Sequence, residues 1–229
     1  AGKSTLNRLE LTPEGSGADR YKRVVYEGTA IDAFLVDVFV QAYSAAPPEI
    51  VLDLDTTVDA IHGRQEGRFF HGYYDTYCYL PLYIFSGNHL LCARLRRANI
   101  DPSAGAVEEL ERIVVQIRRS WPGVKITIRA DSGFSRDAIM TWCEKNGVDY
   151  VLGLARNARL ERELAEMMEQ VQAESKQTQK AVRTFKDFTY RTLDSWSCER
   201  RVIGKAEYLI DKANPRFVVT SLPAGTVDA

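Results

Sequence analysis

Apolar residues recur at helical or strand spacing over most of the chain. In 29–46, Ile31, Phe34 and Val38 follow the three- and four-residue steps of one helix face. The same pattern predicts helices over 29–46, 103–120, 135–146 and 158–174, and short apolar runs predict strands over 49–55, 77–85, 89–95, 124–129 and 148–152. Helices and strands that alternate along a chain are typical of an α/β fold.

Turn and cap residues punctuate these elements. Ser86-Gly87-Asn88 separates two predicted strands and is typical of a hairpin turn. Ser103 and Ser135 stand at the predicted starts of two helices, so we expect their hydroxyls to cap those helices.

The pattern changes after residue 175. Three runs rich in Phe, Tyr and Val with alternating charges predict strands over 183–193, 196–210 and 216–221, without a helical stripe between them. The first 28 residues are polar and irregular, with Pro13, Gly15 and Gly17 as breakers. The chain therefore divides into an irregular segment (1–28), an α/β region (29–175) and a β-rich block (176–229).

Composition limits the expected cellular location of the protein and the state of its cysteines. The chain of 229 residues is 45% hydrophobic, yet it contains no apolar run of about 18 residues that could span a membrane and no signal-peptide core. We therefore expect an intracellular protein. The four cysteines are far apart, which favours reduced, buried thiols over a zinc site.

Charge is unevenly distributed although the formal net charge is −1. Between Lys176 and Arg216 there are ten lysines and arginines and five aspartates and glutamates, a local net charge of +5. Such a segment can face phosphates, or it can simply form a solvated surface. The solvated surface is favoured on composition alone.

The first candidate site is a predicted strand that carries two aspartates. Asp53 and Asp55 are two residues apart, so both side chains point to one face of the strand. Carboxylates on an otherwise apolar strand need a cation, and Mg²⁺ or Mn²⁺ accepts such hard oxygen ligands. The alternative is that one aspartate caps the next turn while the other faces solvent.

A second strand also ends in an aspartate. Asp131 follows Ile126–Ala130, at the edge where open α/β sheets place their sites, and Ser132-Gly133 permits a tight turn into a helix. A simple turn or cap role is the alternative. Two such strands, if adjacent and parallel, would bring Asp55 and Asp131 to one metal cluster suited to phosphodiester chemistry.

The order of these motifs along the chain resembles that of bacterial insertion-sequence transposases of the DDE type. The motifs that carry the resemblance are Val51–Thr57, His62–Gly67, His71–Asp75, Arg129–Phe134 and Gly153–Asn157, with Trp196–Leu222 matching the later β-rich part. The resemblance implies an RNase H-like mixed sheet flanked by helices, with 29–175 as part of the catalytic core and 176–229 as a β-rich insertion near the C-terminal end.

The resemblance also implies catalytic roles and a cofactor. Asp131 matches the second catalytic aspartate, and Asp55 is favoured as the first because a hydroxyl residue follows two places later, with Asp53 as the alternative. These carboxylates would bind Mg²⁺ or Mn²⁺ and support phosphodiester hydrolysis and strand transfer. The family's third acid is a glutamate on a later helix, which we expect beyond residue 229, and Glu199 and Glu207 are rejected as substitutes because they lie in predicted strands.

DNA, as transposon ends and target, is the expected partner, within a homo-oligomeric synaptic complex in the cytoplasm at the bacterial nucleoid. Four polar residues are candidates for phosphate contact, with solvated side chains as the alternative: Arg156, Asn157, Arg200 and Arg201. By itself the segment is expected to bind DNA weakly without cutting it. The alternative functions are a non-catalytic DNA-binding transposase remnant and an RNase H-like nuclease.

One run of aromatic residues is compatible with two roles, a strand core and base stacking. Tyr73, Tyr74, Tyr77 and Tyr79 lie close together, and their alternation favours a strand core over base stacking. His62 and His71 lie in the polar loop beside this run, where hydrogen bonding, DNA contact or a role in loop structure is expected rather than metal binding.

Overall fold

The computed structural model describes residues 27–225. The helices are α1 (Gly28–Gln41), α2 (Ala106–Ser120), α3 (Asp137–Asn146), α4 (Ala158–Glu163) and α5 (Ala165–Thr178). The strands are β1 (Glu49–Thr56), β2 (Asp59–Ala60), β3 (Phe69–His71), β4 (Thr76–Tyr79), β5 (Leu82–Ser86), β6 (His89–Arg94), β7 (Lys125–Ala130), β8 (Asp149–Leu154), β9 (Val182–Tyr190), β10 (Arg200–Tyr208) and β11 (Arg216–Thr220).

Eight strands form one mixed sheet in the order β6-β5-β1-β7-β8-β11-β10-β9. The three central strands β1, β7 and β8 are parallel, while both outer parts of the sheet are antiparallel. The predicted α/β fold, a large mixed sheet flanked by helices, is confirmed. β9, β10 and β11, which make up the β-rich block, extend this same sheet from β8.

The helices pack on one face of the main sheet. Strand β1 alternates strictly, with Ile50, Leu52 and Leu54 buried and the intervening side chains more exposed. The buried positions of β1, β7, β8, β10 and β11 belong to one hydrophobic cluster with the apolar faces of the helices. The opposite face, which we call the open face, carries the odd-numbered residues of β1 and β7.

Most predicted elements are confirmed, with local corrections. Ser103 does not cap α2, because the helix begins at Ala106 after Gly105 and Ser103 instead bonds Asp101. Ser135 does not cap α3 and donates to the Ser132 carbonyl. The predicted helix 158–174 is two helices, with a break at Leu164.

The predicted strand 77–85 is also two strands, which belong to different sheets. Pro81 lacks the N–H that a continuous ladder requires, and the chain changes sheets there. β4 lies in a small three-stranded sheet of order β2-β4-β3, whereas β5 joins the main sheet. The small sheet follows the end of β1 directly, since β2 begins three residues after Thr56.

The tyrosine run does not form a strand core. Tyr73, Tyr74 and Tyr77 are exposed, because the small sheet buries only one of its two faces. Three cysteines, Cys78, Cys92 and Cys143, are buried free thiols as predicted, but Cys198 is exposed. Burial raises the pKa of the Cys143 thiol to about 12, which makes it inert at neutral pH.

Candidate carboxylate site at the carboxyl edge of the sheet

Strand alternation places Asp53 and Asp55 on the open face. Their neighbours Leu52 and Leu54 are buried against the helices, so a two-residue period turns both carboxylates away from the core. Asp55 is exposed and Asp53 is half-buried.

The strands that end near Asp55 and Asp131 are adjacent and parallel, which meets the condition set by the sequence analysis. β1 and β7 pair in a register that ends with Asp53 opposite Arg129 and Leu54 opposite Ala130. Continued by one residue, this register sets Asp55 opposite Asp131. Asp55, which still lies within β1, and Asp131, the first residue after β7, are therefore both at the carboxyl edge of the sheet.

Local geometry holds Asp131 at the start of a tight turn. Its Oδ1 accepts a hydrogen bond from the Gly133 N–H at 2.9 Å, which caps the short 3₁₀ turn Ser132–Phe134. The turn lies directly on Gly153 of β8, where a Cβ atom would come within 3.0 Å of the Ser132 nitrogen and 3.2 Å of the Asp131 carbonyl carbon. The Asp131 turn can pack this closely on β8 because residue 153 is a glycine and has no side chain.

Asp53 has a cationic partner within the sheet. The Arg129 guanidinium donates Nε–H to Oδ1 at 2.5 Å and Nη2–H to Oδ2 at 2.9 Å, so both carboxylate oxygens are engaged. The hydrogen bond to Asp53 and its negative charge raise the pKa of Arg129. In the described residues no hydrogen bond or ion pair engages the carboxylate of Asp55. The two candidates for the first aspartate thus differ in their partners.

The donor set suits a hard divalent cation but is incomplete. Asp55 and Asp131 supply carboxylate oxygens, the ligands that Mg²⁺ and Mn²⁺ prefer. Within residues 27–225, no group of three or more His, Cys, Asp or Glu side chains is arranged to hold a metal ion. Glu207 does not supply a third ligand, since Lys205 and Asn214 both bond it within the C-terminal part of the sheet.

Arg156 and Asn157 lie on the same edge as the aspartates, just beyond the end of β8. Asn157 caps α4, with its Oδ1 accepting from the backbone of Arg159 and Leu160, and it donates to the Tyr190 hydroxyl. Its side chain is therefore committed to the fold. Arg156 is exposed, and no hydrogen bond or ion pair engages it in the part of the chain described.

Arg200 and Arg201 point to opposite faces of β10. The Arg200 side chain is 3% exposed and pairs with Asp137 and Glu144 of α3, which leaves it no free face for a phosphate. Arg201 lies on the open face and chelates Asp187 of β9. Four of the ten basic residues in the 176–216 segment are used in ion pairs: Lys186, Arg200, Arg201 and Lys205.

Sequence reasoning did not assign roles to three residues beside the site. Arg129 and Gly153 are the first residues of two motifs that carry the family resemblance, Arg129–Phe134 and Gly153–Asn157. The resemblance could therefore have pointed to both residues. Tyr83 of β5 lies directly opposite Asp55 in the antiparallel register, and nothing in the local sequence marks it.

Fold and site together define an α/β protein with an aspartate pair at the carboxyl edge of a mixed sheet. The family model of the transposase DDE domain, group 1, matches residues 1–229, and the chain therefore belongs to this family. The predicted assignment to the DDE transposases is confirmed by this match. Membership implies use of a divalent metal.

No curated protein sequence matches the chain. Among solved structures, the cryo-EM structure of the piggyBac transposase synaptic complex with hairpin DNA is similar, with a TM-score of 0.45, 13% sequence identity and coverage of 84% of this chain. The chain spans 37% of that protein's length. Among residues 27–225, every helix is too short or too polar to cross a bilayer.

Proposed function

We propose that this domain catalyses metal-dependent phosphodiester hydrolysis and strand transfer in DNA transposition, with Asp55 and Asp131 as metal ligands. The observation that carries the proposal is the parallel β1–β7 register, which ends with Leu54 opposite Ala130, one residue before each of these aspartates. Asp53 is the less favoured first ligand, because Arg129 already engages both of its oxygens.

Each residue has a defined task in this proposal. Asp55 and Asp131 bind Mg²⁺ or Mn²⁺, and the Gly133 N–H keeps Asp131 in one orientation. Two bound ions would supply charge stabilisation and an activated oxygen for in-line displacement at phosphorus. Arg129 keeps the Asp53 charge compensated beside them. A third acidic ligand comes from outside residues 27–225, and without it metal affinity is weak and cleavage is lost.

We further propose that DNA is held along the carboxyl edge, in a homo-oligomeric complex that pairs the transposon ends. Arg156 is the favoured phosphate contact because it is exposed, unpaired in the described structure and on the same edge as the aspartates. Arg201 can contribute only by leaving Asp187, and Asn157 through its backbone. Arg200 is assigned a structural role.

The test is Mn²⁺-dependent nicking of transposon-end DNA by a protein that contains this domain together with a third acidic ligand. Asp55→Asn and Asp131→Asn should each reduce nicking at least about 100-fold while DNA binding persists, because each removes a charged metal ligand. The matched control is Asp37→Asn, an exposed aspartate on α1 that should leave nicking unchanged. Nicking that survives Asp55→Asn but not Asp53→Asn would transfer the first role to Asp53.

DNA binding separates the alternatives. Affinity of the 229-residue chain should fall steeply with salt, and Arg156→Gln should reduce both the affinity and the salt slope. Binding without any metal-dependent nicking in the longer protein would favour a non-catalytic remnant. Nicking without joining of the ends to target DNA would favour an RNase H-like nuclease.

A further inference from the structure

The small sheet beside the carboxylate site has one buried face and one exposed face. In β4, Cys78 points inward to a cluster with Leu80 and Ala98, so strand alternation turns Tyr77 outward. Phe70 of β3 lies directly opposite Tyr77 and shares the outward face. Both rings remain about half exposed to solvent, although they are large and aromatic.

Four exposed rings lie within eight residues of the chain, and we define them as the aromatic patch: Phe70, Tyr73, Tyr74 and Tyr77. Phe70 and Tyr77 meet edge to face with their centroids 5.5 Å apart, and Tyr73 meets Tyr74 in the same way at 5.0 Å. Tyr73 is 86% exposed and Phe70 52% exposed. Rings held by one another but open to solvent are preorganised to accept a further flat partner.

The aromatic patch is close in sequence to the carboxylate site and has an arginine beside it. The small sheet begins four residues after Asp55, so it follows directly from the carboxyl end of β1. The Arg68 guanidinium lies 4.6 Å from the centroid of the Tyr77 ring. Guanidinium and aromatic planes together are the groups on which proteins stack nucleic-acid bases.

We propose that the aromatic patch stacks unpaired bases of DNA next to the cleavage site. This inference rests on the proposed DNA-processing function and adds an element of substrate recognition to it. Bases in a duplex present only their edges, whereas an unpaired nucleotide exposes a face that Tyr77 or Tyr73 can cover.

The local charge argues for base faces rather than phosphates. Between Asp59 and Tyr79 there are two arginines, Arg64 and Arg68, against three acids. A segment with this balance gains little from counterion release, so phosphate binding would not hold DNA here. Stacking does not need a positive field, and it tolerates any base because every base has a π face.

The experiment uses the 229-residue chain without metal and a DNA duplex end with two unpaired nucleotides, one of them 2-aminopurine. Binding should quench 2-aminopurine fluorescence. Tyr77→Ala and Tyr73→Ala should each weaken binding of the tailed DNA about tenfold and relieve the quenching, whereas blunt duplex affinity should not change. Tyr77→Phe retains the ring and should behave as wild type.

The matched control is Phe185→Ala, which removes an aromatic ring of similar exposure from β9 at the far edge of the main sheet. It should leave the affinity for tailed DNA unchanged. The fully accessible Tyr73 keeps the test valid if Tyr77→Ala proves unstable.

Three outcomes would overturn the proposal. Equal losses for tailed and blunt DNA would assign the patch to duplex contact, and unchanged quenching in both alanine variants would remove it from DNA binding. A change in oligomeric mass of Tyr73→Ala by light scattering, with intact quenching, would make the patch a contact between copies of the chain. Because the assay needs no metal and no cleavage, its failure is distinguishable from failure of the nicking test.

Discussion

At the residue scale, two neighbouring aspartates differ in their partners. Asp53 and Asp55 share a strand, a face and a chemical type, but Asp53 lies opposite Arg129 while Asp55 continues the register toward Asp131. A carboxylate chelated by a guanidinium has fewer lone pairs left for a metal, and competition for them weakens two charge-assisted hydrogen bonds. Asp55 has no such cost, which is why it is the favoured ligand.

Gly153→Ala tests how Asp131 is held in place. The new Cβ would lie 3.0 Å from the Ser132 nitrogen and 3.2 Å from the Asp131 carbonyl carbon, and backbone atoms there cannot rotate away as a side chain could. We expect a loss of about 1–3 kcal/mol in the free energy of unfolding and weaker Mn²⁺ binding, because the turn must shift. Urea denaturation and Mn²⁺ titration followed by electron paramagnetic resonance measure the two effects.

Gly123→Ala is the control for this change. A Cβ at Gly123 meets no atom within 4 Å, so the free energy of unfolding should stay equal or rise by about 0.4–1 kcal/mol. Its Mn²⁺ affinity should equal that of the wild type. Weakened Mn²⁺ binding in both glycine variants would mean that Gly153 does not act through the Asp131 turn.

At the element scale, one buried arginine ties β10 to α3. Arg200 donates to Asp137 and to both oxygens of Glu144, and the Tyr150 hydroxyl also donates to Glu144. Burial alone would raise the pKa of Glu144, but the hydrogen bonds from Arg200 and Tyr150 outweigh burial and lower it. Likewise, bonds from Ser197 and Arg200 outweigh burial and lower the pKa of Asp137.

Arg200→Met should therefore destabilise the fold by about 3 kcal/mol, because it leaves two partly buried carboxylates without their cation. Arg201→Gln is the neighbouring control, since its ion pair lies on the open face with an Asp187 carboxylate that is 46% exposed. The control should cost no more than about 1 kcal/mol. Equal losses in denaturant melts of the two variants would contradict the assigned structural role of Arg200.

The same network predicts how stability depends on pH. A lowered pKa in the folded state stabilises the fold above the ordinary values of 3.8 for Asp137 and 4.5 for Glu144. That contribution is lost as the pH falls through the lower folded values. The difference in the free energy of unfolding between wild type and Arg200→Met should thus be largest near about pH 7 and shrink below about pH 4. A difference that stays constant would show that lost packing, rather than charge, causes the effect.

At the scale of the whole molecule, the described chain has one main sheet and one dominant core. β11 pairs with β8, so the β-rich block shares the ladder of the α/β region, and a single hydrophobic cluster includes residues of both. A Cβ at Gly204 of β10 would come within 2.9 Å of Leu164, between α4 and α5, so this strand packs closely under the junction of the two helices. Extensive shared packing of this kind couples the stability of the two parts.

We therefore expect residues 29–175 and 176–229 to unfold together. Trp121, at the end of α2, and Trp196, before β10, are both buried and serve as reporters of the two parts. In variants with Trp121 or Trp196 as the sole tryptophan, in which Trp142 is also replaced by Phe, the fluorescence midpoints in urea should coincide. An earlier midpoint for Trp196 would show that the β-rich block is a separate folding unit.

The sequence alone determined the element order, the fold class and the candidate aspartates. These features depend on local chemistry: the two-residue period of β1, the hairpin at Gly87-Asn88 and the turn after Asp131 are each encoded within a few residues. Errors arose where a local pattern permitted two outcomes. The run 77–85 is apolar throughout, but Pro81 divides it between two sheets.

Only the tertiary structure decided which partners these candidates have and how deeply they are buried. The register between β1 and β7 joins residues more than seventy positions apart, so no local pattern distinguishes Asp55, in line with Asp131, from Asp53, chelated by Arg129. Arg200 and Arg201 are adjacent in sequence, yet strand alternation buries one against α3 and leaves the other on the open face. The tyrosine run is likewise exposed because no second layer covers the small sheet within residues 27–225. Pairing and burial depend on distant parts of the chain, and for that reason they could not be obtained from local sequence.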